Sequence, residues 1–329
     1  MRYGLSSWKV LLTVTVLMAL YATPPVATAG SIEGWGRNYE DQAEPPPGSN
    51  YTSVATGGYH SLALTSNGSI VAWGQDNFGQ GQSGVPDGTY SQISAGSLHS
   101  VALRSDGSII EWGYDIEYGF YHGETRTHSG GFTYVDAGAQ HTLGITSGGA
   151  ISAWGTDYEG AVTEAPTSGT YTAVSGGGEH SLALREDGKI VGWGDDTAFS
   201  GLPAPDDQDT YTAISAGNDH SLALKSDGSI VAWGNNDEGE CTVPGENENF
   251  TAIAAGIHSS VALKSDGSIV AWGEDSYGVG AYPPDGAFVD IDASAHGLAV
   301  ATPEPGTTAL ALLAAGAGVF AVWRKRKDA

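Results

Sequence analysis

Five histidines of the chain stand 39, 42, 39 and 40 residues apart, at His60, His99, His141, His180 and His220, and a hydroxyl side chain follows each. Imidazoles at recurrent positions can hold transition metals, and a hydroxyl beside an imidazole can act as a nucleophile with its base. The spacing argues against both. Metal sites usually declare themselves by two ligands a few residues apart. Neighbours in a strand point to opposite faces, so His60 and Ser61 cannot meet within their own strand. In a sixth copy Ser259 takes the histidine position and His258 is displaced by one. The histidines therefore read as one structural hydrogen bond repeated along the chain. There is no Gly-x-Ser-x-Gly elbow, no phosphate-cradling glycine loop and no visible inward-facing acid–base pair. The expectation is a protein with no catalytic residues, no cofactor and no resident metal.

Oxygen ligands are the second chemical resource. Asp76, Asp157, Asp195, Asp196, Asp237, Glu274 and Asp275 gather in corresponding segments, and calcium favours such groups. No copy has the alternating spacing and distal Glu of a calcium loop, so turn formation and solvation account for them. Aromatic side chains recur in the same segments at Tyr39, Phe78, Tyr114, Tyr158, Phe199 and Tyr277. On one shared rim they would suit recognition of protein or carbohydrate; packing of each ring onto its own unit is the alternative. The longest of these segments, Tyr114 to Gly131, also gathers Tyr118, Phe120, Tyr121, His122, Arg126 and His128 and lacks the usual proline. It is where partner choice is expected to reside.

These residues ride on a repeat. Tyr211 to Gly234 reads Tyr-Thr-Ala-Ile-Ser-Ala-Gly-Asn-Asp-His-Ser-Leu-Ala-Leu-Lys-Ser-Asp-Gly-Ser-Ile-Val-Ala-Trp-Gly, and lightly edited copies recur six times. The closing Trp-Gly falls at Trp35, Trp73, Trp112, Trp154, Trp193, Trp233 and Trp272, spaced by 38 to 42 residues. That is the period of a propeller blade. Each copy predicts three strands: Tyr211–Ser215, His220–Leu224 before an Asp-Gly hairpin turn, and Ile230–Trp233. The 14 to 18 polar residues after each Trp-Gly predict a brief outer strand, often ended by proline, making a four-stranded blade.

The motif Ile-Ser-Ala-Gly-x-x-His-Ser-Leu-Ala-Leu followed by Asp-Gly-Ser-Ile-Val-Ala-Trp-Gly resembles the repeat of the regulator of chromosome condensation family. The short blades are also similar to those of the secreted beta-lactamase-inhibitory propeller proteins. The resemblance covers roughly residues 31 to 300 and implies an all-β, seven-bladed propeller. It leaves function open, since such propellers serve as exchange factors, inhibitors and plain binding modules.

The ends complete the picture. Residues 1–29 read as a signal peptide, with Arg2 and Lys9, an apolar run from Val10 to Ala22 and Ala27-Thr28-Ala29 as the cleavage site. Gly30 to Gly36 is the third strand of a unit whose first two strands, Phe288 to Val300, lie at the far end. The two termini should build the seventh blade, so that 30–301 is one closed propeller. In 302–329, Pro303, Glu304 and Pro305 precede an apolar run, Thr307 to Trp323, and then Arg324, Lys325, Arg326 and Lys327. This arrangement resembles the PEP-CTERM sorting signal of Gram-negative bacteria. The resemblance implies an exosortase-type processing enzyme as partner, membrane contact through the C-terminal helix before processing, and then the cell surface or extracellular matrix. A permanent single-span anchor is the alternative.

Residues 30–305 hold 7 Lys/Arg against 37 Asp/Glu, a net charge of −30. Such a field repels nucleic acid. Cys241 is the single cysteine, so no intrachain disulfide forms, and blade packing must stabilise the ring. The expected function is binding of an envelope or matrix protein or polysaccharide; a glycan lyase or hydrolase, or an enzyme inhibitor, is the alternative.

Overall fold

The structure, a computed structural model, describes residues 29–302 other than 82–83, 115–124, 196–207, 275–277 and 281. Every named element is a strand. The chain opens with β1 (Ile32–Gly36). Blade 1 follows as β2 (Tyr51–Thr56), β3 (His60–Thr65) and β4 (Ile70–Gly74), and blade 2 as β5 (Tyr90–Ala95), β6 (His99–Arg104), β7 (Ile109–Gly113) and β8 (Arg126–His128). Blade 3 is β9 (Phe132–Ala137), β10 (His141–Thr146) and β11 (Ile151–Gly155); blade 4 is β12 (Tyr171–Gly176), β13 (His180–Arg185) and β14 (Ile190–Gly194). Blade 5 is β15 (Tyr211–Ala216), β16 (His220–Lys225) and β17 (Ile230–Gly234), and blade 6 is β18 (Phe250–Ala255), β19 (Ser259–Lys264) and β20 (Ile269–Gly273). Last come β21 (Phe288–Ala293) and β22 (His296–Ala301).

The ring closes as the split repeat predicts. The sheet order is β1-β22-β21, with Ile32 opposite Val300 and Trp35 opposite Gly297. Gly30 adds a two-way bridge to Tyr51 of blade 1, Gly30 N to Tyr51 O at 2.8 Å and Tyr51 N to Gly30 O at 3.1 Å. Gly297 has a steric reason. A Cβ there would sit 2.2 Å from the Trp35 ring, so Gly297→Ala is expected to cost about 1–3 kcal/mol as overpacking. A melting temperature within 1 °C of the parent would refute this.

The central strand of each blade is buried on both faces because its two neighbours are other blades. In β3, Leu62 and Leu64 pack with Ile70 against Tyr90, Ile93 and Trp112 of blade 2. Ala63 faces the other way, toward Ile32, Leu298 and Val300 of blade 7. Seven such seams form the core. In six blades the Thr or Ser after the initial aromatic residue supports the first strand pair locally, and blade 7 has Val289 there. Thr52 Oγ1 donates to Leu64 O at 3.2 Å, where the β2–β3 register shifts.

One expectation is corrected. Among the described residues, blade 2 has four strands, its β8 pairing with β7, whereas the other six sheets have three. The described parts of the remaining post-Trp-Gly segments fold back instead as turns. Asn38, Asp76, Asp157 and Asn236 accept backbone N–H groups of Ala43, Gly81, Val162 and Cys241, five residues on, at 2.8–2.9 Å. These side chains offer the segment a turn in place of a ladder.

The two ends of the ring differ. The first and second strands of each blade meet at an upper rim, to which the chain returns after each Trp-Gly: Gln75 N donates to Tyr59 O, Asn235 N to Asp219 O and Glu274 N to His258 O. The Asp-Gly turns lie at the opposite, lower face. Both chain ends leave there, Gly30 beside Tyr51 and Thr302 beside Ala287.

Candidate functional site

The repeated histidines link neighbouring blades. Their Nε2 atoms lie 2.8 Å from Ser100 Oγ for His60, 2.9 Å from Ser181 for His141, 2.9 Å from Ser221 for His180 and 2.9 Å from Ser260 for His220. His99 meets Thr142 Oγ1 at 3.2 Å, and His296 meets Ser61 Oγ at 2.6 Å across the closing seam. The histidine and hydroxyl that cannot meet within a strand thus meet between strands of adjacent blades.

The hydroxyl proton has its own destination. Ser100 Oγ donates to Gln80 O at 2.9 Å and Trp112 Nε1 to the same oxygen at 3.0 Å. The pattern recurs with Ser61 and Trp73 on Gln42 O, Ser181 and Trp193 on Ala161 O, and Ser260 and Trp272 on Glu240 O. Each of these carbonyls comes from a folded-back turn, which thereby plugs the seam to the next blade. Since serine donates to the carbonyl, histidine must donate from Nε2, which fixes the neutral Nε2–H tautomer. A glycine between the first and second strands leaves room for the ring and for the next blade: a Cβ on Gly57 would lie 2.4 Å from His60 Cε1 and 2.6 Å from Gly96 O.

Burial pushes His60, His141, His220 and His296 down from 6.5 to about 3 and His180 to about 4, and lowers His99. Nδ1 of His60, His99, His220 and His296 is buried without a hydrogen-bond partner. A second proton there would be a buried, unanswered charge. These rings are structural parts rather than bases. Among the described residues, no three of His, Cys, Asp or Glu converge as a metal site.

Two seams depart from the pattern. Between blades 2 and 3 the carbonyl is replaced by the Glu111 carboxylate, which accepts Thr142 Oγ1 at 2.6 Å, Trp154 Nε1 at 2.8 Å and His128 Nε2 at 2.9 Å. His128 stacks on Trp154 with centroids 4.4 Å apart. Burial works to raise Glu111, but the hydrogen bond from His128, the nearby His99 and the Thr142 hydroxyl outweigh it and hold the carboxyl below its ordinary range. At the seam between blades 6 and 7 both partners are lost together, with Ser259 in the histidine position and Gly297 in the serine position.

The axis carries acids that pattern within the repeat did not expose. The fifth residue of the innermost strand reads Ala55, Ser94, Asp136, Ser175, Ser215, Ala254 and Asp292 from blade 1 to blade 7. Five of these take N–H groups from the exposed inner edge of the next blade. Ala137 N donates to Ser94 at 3.1 Å, Gly176 N to Asp136 at 3.0 Å, Ala216 N to Ser175 at 3.0 Å, Ala255 N to Ser215 at 2.9 Å and Thr56 N to Asp292 at 2.6 Å. Val54 N adds Asp290 at 3.0 Å. The polar side chains thus answer edges that would otherwise lack partners. Asp136 and Asp292 line an axial cavity of about 220 Å³. Asp136, Asp290 and Asp292 are half-buried, and desolvation pushes Asp136 and Asp290 up to about 6 and Asp292 to about 7; Asp136 also adds its charge at Asp292. The sequence offers no visible inward-facing acid–base pair; the structure places two carboxyls, Asp136 and Asp292, on one axial cavity. The signal was the pair of Asp at one repeat position, hidden because every other copy there is Ala or Ser.

The rim residues are partly brought together. Tyr39 is 73 % and Tyr158 48 % exposed. Phe78 and Tyr114 form an edge contact with centroids 6.0 Å apart, so neither ring stands alone. Tyr118, Phe120, Tyr121, His122, Phe199 and Tyr277 lie outside the described residues, as do Pro303, Glu304, Pro305, Arg324, Lys325, Arg326 and Lys327 with the apolar run between them. Asp157 Oδ1 accepts Val162 N and Thr163 N and Oδ2 accepts the Thr163 hydroxyl, which is turn formation. Cys241 Sγ donates to Asn235 O at 3.1 Å; burial, then the neighbouring Glu240, pushes its thiol up to about 12.

Comparison with known proteins bears on this geometry. The regulator of chromosome condensation (RCC1) repeat matches residues 51–80, 171–198, 211–240 and 250–279. The PEP-CTERM protein-sorting motif matches residues 301–327. No curated protein matches the chain. Among solved structures, Prp20p of Saccharomyces cerevisiae superposes with a TM-score of 0.71 at 19% identity, covering 85% of this chain and 94% of that one. Yeast RCC1 (Prp20) bound to Kap60 gives 0.69 at 19%, covering 84% and 91%. Human WBSCR16 gives 0.67 at 16%, covering 83% and 99%. At these identities the likeness is one of fold. The motif implies recognition by an exosortase and export through the membrane to the cell surface. The chain is an all-β propeller of seven repeat blades, four segments of which match the regulator of chromosome condensation repeat, and its C-terminal residues 301–327 match the PEP-CTERM protein-sorting motif.

Proposed function

We propose that the protein is a non-enzymatic propeller exported by a Gram-negative cell, binding a protein or polysaccharide of the envelope or matrix through its upper rim. On this reading residues 1–29 are a cleaved signal peptide, 30–301 the propeller and 302–329 a sorting tail. The tail's helix holds the protein transiently in the membrane until an exosortase removes it. One observation carries the proposal: both chain ends leave the lower face, which turns the rim bearing exposed Tyr39 and Tyr158 away from the membrane. The consumption of histidines and serines in the seams supports a binding role, because the repeated polar groups are already engaged in holding blade to blade. The acidic surface disfavours nucleic acid as partner.

The test is capture of matrix proteins and a glycan array, both with the exported protein. Replacing Tyr118, Phe120 and Tyr121 together by Ala is expected to weaken binding at least tenfold with melting unchanged. Unaltered binding would move attention to Tyr39, Phe78, Tyr158 and Tyr277. Mass spectrometry of the surface protein should find no residue beyond the Pro303–Pro305 region; an intact Ala329 would mean a permanent anchor.

The axial Asp136 and Asp292 favour a second reading, a glycan hydrolase or lyase with one carboxyl as acid and the other as base. Release of reducing ends or unsaturated sugars, lost in Asp136→Asn, would establish it. Enzyme inhibition through the rim is a form of the first reading.

A further inference from the structure

The seam between blades 6 and 7 has lost its histidine staple and kept a cavity on the upper rim. The ring of Trp35 lies against Gly297 and donates from Nε1 to Val279 O at 3.2 Å, which closes the seam from below. Above this lies a cavity of about 260 Å³ whose lining includes Arg37, His258, Ser259, Glu274 and Val279. Arg37 is the one Lys or Arg on this rim among the described residues. Arg104, Arg185, Lys189, Lys225 and Lys264 stand beside the Asp-Gly turns of the lower face, and Arg126 lies on β8. The Arg37 guanidinium lies 4.5 Å from the Tyr59 ring centroid and 5.2 Å from that of Tyr39.

We propose that this notch binds one neutral hexopyranose unit of a polysaccharide. The proposal rests on the polysaccharide branch of the function given above and assigns it a site. Hydroxyl groups on adjacent ring carbons need donors and acceptors placed together, which Arg37, Glu274, His258 and the Ser259 hydroxyl, all in the cavity lining, supply. The apolar face of a sugar ring needs an aromatic platform, and the exposed Tyr39 ring, 5.2 Å from the Arg37 guanidinium, is the aromatic beside the lining. The volume is below the roughly 300–1,000 Å³ of drug-sized pockets, which suits a single ring. Charge selects the neutral class. Arg37 and Glu274 put one charge of each sign in the lining, so a charged sugar meets one repulsion for each attraction, while the hydroxyls of a neutral ring are answered by both.

The experiment uses the exported protein with maltohexaose, cellohexaose and mannohexaose as neutral probes, beside a hexauronate and a chitosan hexamer, measured by calorimetry. At least one neutral probe is expected to bind. Arg37→Ala and Tyr39→Ala should each weaken it at least tenfold, while Arg185→Ala, beside an Asp-Gly turn of the lower face, should not. Ser259→His fills the seam with an unpartnered ring and should block binding, with its melting read beside it, and Glu274→Ala, at a partly exposed position, should weaken binding at least tenfold with melting unchanged, which keeps the test valid if the other variants fail to fold. Binding of the hexauronate or the chitosan hexamer alone overturns the assignment, as does neutral binding that survives Arg37→Ala, Tyr39→Ala and Ser259→His. In that last case polysaccharide recognition stands and only its location is wrong. Absence of binding to every probe overturns the site and leaves protein partners as the remaining form of the proposed function.

Discussion

Acidification from pH 7 to pH 4.5 is expected to unfold the propeller in one cooperative transition. Six histidines link the seams in the neutral state, and those with a stated value sit near 3 or 4 when folded against 6.5 when free. A group lowered in the folded state contributes stability that is fully present above 6.5 and is lost as pH falls through the folded value. Between those limits the unfolded chain binds more protons, and each histidine removes roughly 1.4 kcal/mol per pH unit. Asp136, Asp290 and Asp292 act in the opposite sense, because their folded values near 6 and 7 are raised. Their contribution grows as pH falls toward the free carboxyl value near 4. Histidines outnumber these carboxyls two to one, so the net loss at pH 5 is on the order of 5–10 kcal/mol. That is comparable with the whole stability of a typical domain, roughly 5–15 kcal/mol. Circular dichroism melts at half-unit steps from pH 8 to pH 4 provide the check. A melting temperature flat to pH 4 would mean that the rings are charged or hydrated in the folded protein. His220→Gln should shallow the slope.

Deleting residues 30–36 is expected to lower the melting temperature by at least about 10 °C or to prevent folding. The deletion removes β1 from β22 along five paired positions and takes Ile32 and Trp35, 7 % and 8 % exposed, out of two different seams. Loss of a buried Trp alone costs about 3–5 kcal/mol. It also uncovers the β22 edge, a template for pairing with a second copy. Calorimetry and size-exclusion chromatography at several protein concentrations read both effects. Unchanged melting would mean that the ring holds without its clasp.

The blade strands and the clasp were legible from local pattern. Tyr-Thr-Ala-Ile-Ser, His-Ser-Leu-Ala-Leu and Ile-Val-Ala-Trp-Gly each carry a strand's alternation, the Asp-Gly turn joins the last two, and seven Trp-Gly pairs count the blades. A repeat that cannot bury its own faces must stack on its neighbours. The half-copies at the two ends then leave ring closure as the answer. The outer strand was misread for a reason equally local. Asn38, Asp76, Asp157 and Asn236 satisfy the backbone of their own segments, and a period-2 reading does not register side chains that compete with the ladder.

The site depended on contacts about 40 residues apart, beyond the reach of pattern within one copy. His60 is one unit from Ser100 in the chain and 2.8 Å from it in space, so the adjacent Ser61 suggested a partnership that geometry forbids. Asp136 and Asp292 sit in blades 3 and 7, and only closure of the ring brings both to one axial cavity. Ser259 and Gly297 looked like two unrelated lapses of the repeat. They face the same seam, and beside them Arg37 from the first strand-end of the chain lines a cavity with Glu274 from blade 6. The sequence by itself determined the blade, its number and its clasp, because hydrophobic period, turn chemistry and repeat count act over tens of residues. The tertiary structure decided which polar groups share a seam or the axis, because those meetings follow from the rotation that carries each blade onto the next.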